Sequence, residues 1–531
     1  MRGAPVQGAA PVRVAALVQG AALCVPWLNF YAHGPSPGVW PWLGSALCAV
    51  LVWLVGPRPG VRVVAVSWLA AAVFSAVIGL CQYVGVAHYF AFMNVAEVGQ
   101  AFANLRQRNQ FATLTSIGLL ALLWLLVPFF GARAGQRAGA GQWLVACVLV
   151  GVLALGNAAS GSRTGLVQWL VVAVLLVVWR RQGVWRAAGM GRLAGWAVAA
   201  LVVYFVAALA LPVLLQALTG SVHGGLAQRL VEGAGCESRL VMWSNVLHLI
   251  AQKPWLGWGW GELDYAHFVT LYPGERFCDI LDNAHNLPLH LAVELGVPLA
   301  VVLCGAGLWL VWLARPWRET DPARQLAWGV LAVVLLHSMV EYPLWYGPFQ
   351  LAFGLCVWLL AADLRGGAGG ASGRWGPGQR RPGQRRPGGA AWAAVWPVLV
   401  AVVLVLPVGY AAWDYHRVSQ IYLAPEARDA AYRDNTLGKL QGSRLFADEV
   451  RFAELTMTPV GPENAARLNA LAHRVLHFSP EARVVQRLVE SAAMLGRTDE
   501  VLFFTGRFRA AYPQAYARWS GGGGAGGEGE D

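Results

Sequence analysis

Charge is what this chain has least of. Only 13% of its 531 residues are charged, while 57% are hydrophobic, against roughly 25% charged in an ordinary soluble domain. That shortfall excludes a water-soluble core of this size and makes lipid the main solvent. Lysine is nearly missing too: Lys253 and Lys439 are the only two, so the formal net charge of +12 comes from arginine. The arginines gather in short loops between apolar runs, which speaks against a nucleic-acid surface and for positive-inside membrane topology. Several chemical motifs are absent. There is no P-loop, no H-E-x-x-H helix, no C-x-x-C pair and no D-x-D-type acidic cluster, and Asp279, Asp282 and Glu275 lack a metal-binding spacing. No cofactor and no metal are therefore expected. The first residues run straight into an apolar stretch of spanning length with no small-residue cleavage site, so no cleavable signal peptide is expected.

What is present reads as a series of apolar stretches. A bilayer core needs about 20 apolar residues per helix, and backbone groups in hydrocarbon must be satisfied within the segment. About eleven spans follow, near 14–32, 37–56, 64–86, 111–130, 142–159, 164–179, 194–217, 287–313, 324–341, 344–363 and 391–412. Alternate connections carry Arg58 and Arg62; Arg133 and Arg137; Arg180, Arg181, Arg186 and Arg192; and Arg315, Arg318 and Arg324. These loops are expected in the cytoplasm. The remaining loops, 87–110, 160–163, 218–286 and 341–343, then face the periplasm.

The expected fold is an all-α polytopic membrane protein of a bacterial inner membrane, with a large periplasmic loop and a C-terminal helical domain. Residues 1–363 form a transmembrane catalytic core that includes loop 218–286. A basic cytoplasmic linker covers 364–390, the last transmembrane helix 391–412, a periplasmic helical domain 413–519 and a disordered tail 520–531. In the helical domain, 463–477, 480–495 and 498–510 have apolar residues at helical spacing, in the manner of a short tetratricopeptide-like array. Of eight cysteines, six lie in apolar segments as small buried hydrophobes. Cys236 and Cys278 share the long polar loop, where a periplasmic location permits a disulfide and a reducing one would leave two thiols.

Polar clusters crowd the expected periplasmic side: Asn104 to Gln110, Ser160 to Gly165, Glu237 to Trp243, the Trp- and Gly-rich 254–261, Asp282 to Asn286, and Glu341-Tyr342-Pro343. Taken singly, each has an unremarkable explanation. Arg163 at a helix end can snorkel to headgroups, Arg239 can pair with Glu237 or Asp282, His285 can cap a helix, and the tryptophans can form an interfacial belt. Taken together, they put arginines, a histidine and amides on one face. Arginine's planar fork suits a diphosphate, and a neutral imidazole can accept a hydroxyl proton.

At these positions the chain resembles the superfamily of O-antigen ligases, O-antigen polymerases and bacterial protein O-oligosaccharyltransferases. The resemblance rests on QRNQFAT (107–113), SGSRTG (160–165), SRLVMW (238–243) with PWLGWGWG (254–261), DNAHNLPLHLAVELG (282–296) and EYPLW (341–345). The helical domain after a last span makes the pilin-type O-oligosaccharyltransferases the most similar subgroup. The resemblance implies a glycosyltransferase that takes an oligosaccharide from undecaprenyl diphosphate and places it on Ser/Thr hydroxyls of pilin or another periplasmic protein. It implies His285 as general base, Arg163 and Arg239 at the diphosphate, and Gln107, Asn109, Ser162, Trp243, Asn286, Glu341 and Tyr342 as donor- or acceptor-binding residues. Two other readings stay open: an O-antigen ligase or polymerase acting on a sugar hydroxyl, and a transporter of a lipid-linked glycan.

Overall fold

The computed structural model describes residues 9–30, 36, 38–55, 59–131, 139–180, 190–220, 235–362 and 390–521. Most of the expected linker 364–390, the tail from 522 onward and loop residues 221–234 lie outside the described residues. Among the described residues the regular structure is entirely helical. The first half holds α1 (Ala9–Leu28), α2 (Val39–Leu54), α3 (Val61–Tyr83), α4 (Arg108–Gly131), α5 (Ala140–Ala159), α6 (Arg163–Arg180) and α7 (Met190–Thr219). The polar segment folds as α8 (Arg239–Gln252), α9 (Leu263–Val269) and α10 (Leu287–Leu295). Then come α11 (Val297–Ala314), α12 (Pro322–His337), α13 (Gly347–Ala362) and α14 (Ala390–Ser419). Seven of these are long and apolar enough to cross a membrane, namely α3 to α7, α11 and α14, while α1, α2 and α13 are shorter apolar helices.

One expected span is corrected. The stretch 287–313 is two helices, because Gly296 takes φ +87, a left-handed conformation that a helix cannot continue through. The apolar crossing segment starts at Val297, and α10 belongs with the polar segment that holds the candidate site.

Helix α4 lies at the centre of the bundle, buried over 78% of its apolar window. Small residues let its neighbours close in, as small-residue stripes do in membrane bundles. A Cβ on Gly156 of α5 would stand 2.8 Å from Ala76 of α3, and one on Gly79 of α3 would stand 2.6 Å from the Phe111 ring of α4. A buried polar ladder then fixes the rotation of α4 against α6 and α12. Thr113 Oγ1 donates to the Asn109 carbonyl at 2.8 Å and lies 3.0 Å from His337 Nδ1. Gln168 donates to Thr113 at 2.7 Å and to the Val333 carbonyl at 3.0 Å, and it accepts from Ser116 at 3.0 Å. Each unmade bond would cost a desolvated polar group in an apolar interior, so the ends of α4, α6 and α12 are held in one register.

Beyond residue 412, where the last span was expected to end, α14 continues to Ser419. Its buried Asp414 accepts from Ser443 Oγ at 2.9 Å and from the backbone N–H groups of Arg444 and Leu445. After α15 (Thr436–Leu440), helices α16 (Ala447–Met457), α17 (Ala465–Leu476), α18 (Ala482–Met494), α19 (Thr498–Ala511) and α20 (Pro513–Ser520) pack around Leu468, Val484, Leu488 and Phe508. The sequence period had placed three of these helices at 463–477, 480–495 and 498–510. Phe268 of α9 inserts into the same core, a burial worth about 1.5–3 kcal/mol. Arg507 Nε donates to the Val269 carbonyl at 2.6 Å, and His477 Nδ1 meets Glu262 at 2.7 Å. The C-terminal domain thus sits directly on the segment that carries His285.

Candidate active site

Three stretches of chain far apart in sequence converge on one carboxylate. Helix α12 ends at His337, and the tight turn after it carries Glu341 with its side chain 10% exposed. One oxygen, Oε1, accepts from Asn109 Nδ2 at 3.0 Å and from Arg239 Nη2. The other, Oε2, lies 2.7 Å from His285 Nδ1. Burial alone would raise the Glu341 pKa. The hydrogen bond from His285 and the charges of His285 and Arg239 outweigh it and hold the carboxyl below its ordinary range. An ionised Glu341 has no proton to give, so His285 Nδ1 carries the hydrogen, and whenever the ring is neutral Nε2 is the acceptor.

His285 is placed by strain and support together. Its φ is +48, costly for a residue with a Cβ and sustained only where surroundings over-determine it. Asn283 Oδ1 accepts the His285 backbone N–H at 2.9 Å, Trp243 Nε1 donates to the Ala284 carbonyl at 3.0 Å, and the Tyr342 ring meets the imidazole edge-to-face at 4.9 Å. Asn286 opens α10 by accepting the Leu289 N–H, and its amide donates to the Met339 carbonyl at 3.0 Å. The Leu287 N–H also reaches across, to the Ser338 carbonyl at 2.8 Å. A disulfide between Cys236 and Cys278, with Cα atoms 5.4 Å apart, ties the start of α8 to the segment leading into 282–286.

The arginines arrive from two helix starts. Arg163 and Arg239 are the first residues of α6 and α8, where helix N-termini add partial positive charge. Ser162 links the first of these to the hub: its hydroxyl donates to Asn109 Oδ1 at 2.6 Å and accepts the Gly165 N–H at 3.0 Å. A cavity of about 1590 Å³ opens in front of them. Seven of the ten expected site residues line it: Gln107, Asn109, Ser162, Arg163, Arg239, His285 and Tyr342. Burial pushes the Tyr342 phenol above its ordinary range, with Asp282 adding to the rise, so it stays a hydrogen-bond donor.

The other three, Trp243, Asn286 and Glu341, stand behind that wall. The indole and the amide brace the backbone around His285, and Glu341 is a hub rather than a direct contact to anything in the cavity. Arg106 and Arg108 also line the cavity, although the sequence reading did not count them as site residues. Asn283 was read as part of the Asp282 to Asn286 cluster but given no role; its signal is an Asx-type residue two positions before the histidine.

Three family models match along the chain: "O-Antigen ligase" over residues 148–304, "Virulence factor membrane-bound polymerase, C-terminal" over 325–521, and "Protein glycosylation ligase" over 101–126. The first covers Arg163, Arg239 and His285, the second Glu341, and the third Asn109. The chain is similar to the O-antigen ligase superfamily. Among single proteins it is similar to a general O-oligosaccharyltransferase of Acinetobacter baylyi (strain ATCC 33305 / BD413 / ADP1), 27% identical over 302 residues, 55% of this chain and 49% of that protein. It is also similar to a ComP-specific O-oligosaccharyltransferase of the same strain, 24% identical over 130 residues, which are 24% of this chain and 23% of the relative. The matched region thus spans about half the length of the first superfamily relative and under a quarter of the second.

Proposed function

We propose that the chain is a glycosyltransferase that moves an oligosaccharide from undecaprenyl diphosphate to Ser/Thr hydroxyls of pilin or another periplasmic protein. The observation that carries this reading is the pairing of His285 with an ionised Glu341 at the wall of an arginine-lined cavity. A cationic wall without a base would suit a carrier; a base set beside two arginines suits displacement of a phosphate leaving group. Similarity to the superfamily supports the same choice.

In the proposed reaction the acceptor hydroxyl gives its proton to His285 Nε2 while its oxygen attacks the anomeric carbon. The bond from that carbon to the diphosphate oxygen breaks, and the electron pair leaves with the diphosphate. Arg163 and Arg239 take up the developing charge, Glu341 stabilises the imidazolium as it forms, and the configuration inverts in this single displacement. Gln107 and Tyr342 orient donor or acceptor, and no metal takes part. The cavity would face the periplasm of a bacterial inner membrane, in a chain that crosses it about eleven times. Residues 1–363 and 391–412 would be the membrane part, 364–390 a cytoplasmic linker, 413–519 a periplasmic tetratricopeptide-like domain and 520–531 a disordered tail.

The test is transfer in cells supplied with a lipid-linked oligosaccharide and a candidate pilin, with wild type and His285→Ala matched for membrane level. Glycosylated pilin with wild type and none with His285→Ala is the expected result. Glycan on lipopolysaccharide alone would make the chain a ligase, and unchanged modification by His285→Ala would sink the mechanism.

A further inference from the structure

The three most exposed large apolar side chains among the described residues belong to one patch. Leu256 is 86% exposed, and Trp255 and Leu240 are each 76% exposed. Along α8, Leu240, Ser244, Leu247 and Ala251 recur at the spacing of a single helix face. The opposite face, with Met242, Val246 and Leu249, is buried. Helix α8 is therefore amphipathic with its second apolar stripe turned outward, and the stripe runs on into Trp255 and Leu256.

These side chains are held out rather than left loose. Gly257 and Gly296 both have positive φ, and a Cβ on either would collide with the backbone of the other segment. The Val297 N–H donates to the Pro254 carbonyl at 2.8 Å, the Trp258 N–H to Val293 at 2.8 Å and the Gly259 N–H to Glu294 at 3.0 Å. The 254–259 turn is thereby riveted to the break between α10 and α11. Only 6% of the apolar window of α11 is buried in the protein, so the patch continues the outward face of a membrane-crossing helix past its first residue. Cations flank the stripe at both ends: Arg239 opens α8, and Lys253 closes it with its ammonium 3.9 Å above the Trp258 ring. Apolar side chains bounded by tryptophan and cations are the composition of a membrane–water interface.

We propose that α8 and the 254–257 turn lie in the leaflet next to the site, with Leu240, Leu247, Trp255 and Leu256 among phospholipid acyl chains and Lys253 at the headgroups. This depends on α11 crossing the bilayer and not on the transfer chemistry, so it stands or falls separately from the proposed reaction. Its consequence is that the cavity, which Leu240 also lines, opens at headgroup depth instead of above the membrane.

The experiment places a photo-crosslinking phenylalanine analogue at position 247, 256 or 502 of the full-length protein, in vesicles of phosphatidylethanolamine and phosphatidylglycerol. Position 502 is a leucine on α19 of the C-terminal domain whose exposure lies between those of Leu247 and Leu256, and all three sites tolerate a large side chain because all are exposed. After irradiation, phospholipid adducts at 247 and 256 in several-fold excess over 502 are expected. Absence of lipid adducts at 247 and 256, or their replacement by cross-links to a second copy of the chain, would overturn the proposal.

Discussion

At the residue scale, Glu341 decides what His285 can do. It takes the hydrogen bond from Nδ1 and so fixes the imidazole tautomer. Glu341→Gln keeps the shape and loses the charge, so kcat is expected to fall roughly a hundredfold, within the range of general acid–base contributions, with KM little changed. A residue serving only to hold the fold would lower the amount of active protein without that split. The same variant carries a pH signature. Because the folded carboxyl lies below its ordinary range, its stabilisation is fully present above the unfolded carboxylate pKa and is lost as pH falls through the folded value. Wild type should exceed Glu341→Gln in Tm near neutrality, and thermal unfolding in detergent should show that gap closing on acidification. None of this was legible in EYPLW alone. A carboxylate in a turn gives no sign that its partners lie 56 and 102 residues away. Arg163, Arg239 and His285 were easier to find, because an ionisable side chain stands out in a chain so poor in charge.

At the scale of elements, the site depends on a loop being held still. The Cys236–Cys278 bridge closes 42 residues of chain around α8 and α9, a constraint typically worth about 2–4 kcal/mol. Cys278→Ser should lower Tm and reduce transfer under oxidising conditions, and mild reductant should bring wild type down to the same level; a variant as stable as wild type would show that the loop is held by packing alone. Hydropathy found the apolar helices well because every residue contributes to the sum. It placed the start of the eighth span, at 287 instead of Val297, too early because it does not register φ, and Gly296 looks like any other small residue in an apolar run. The structural support that Trp243 and Asn286 give was hidden for a related reason. An indole and an amide beside a histidine look like ligand contacts in sequence, and only the backbone path reveals that they support Ala284 and cap α10.

At the scale of the whole molecule, the membrane part and the C-terminal domain meet at α9. Asp264, on the buried side of that junction, has its pKa raised from 3.8 to about 7, chiefly by burial, with Asp282 and Glu262 adding to it. The folded state therefore keeps it neutral over a range where the unfolded chain ionises it, and each unit of pH across that range costs the fold about 1.4 kcal/mol. Asp264→Asn should raise Tm at about pH 8 and by less at about pH 5, since the penalty grows between the unfolded and folded values and is constant above them. An equal gain at both would place the effect elsewhere. The helical nature of the C-terminal domain was readable from its period, but its seat on α9 was not, because Phe268 lies some two hundred residues before the core it fills. The position of Glu341 has one more consequence, in time rather than space. Asn109, Arg239 and His285 all leave the ribosome before it, so during synthesis the imidazole waits without the carboxylate that selects its tautomer. In the proposed reaction the base is therefore completed only when the turn after α12 has been made and brought alongside α10, and the last residue of the hub to be translated is the one the others wait for.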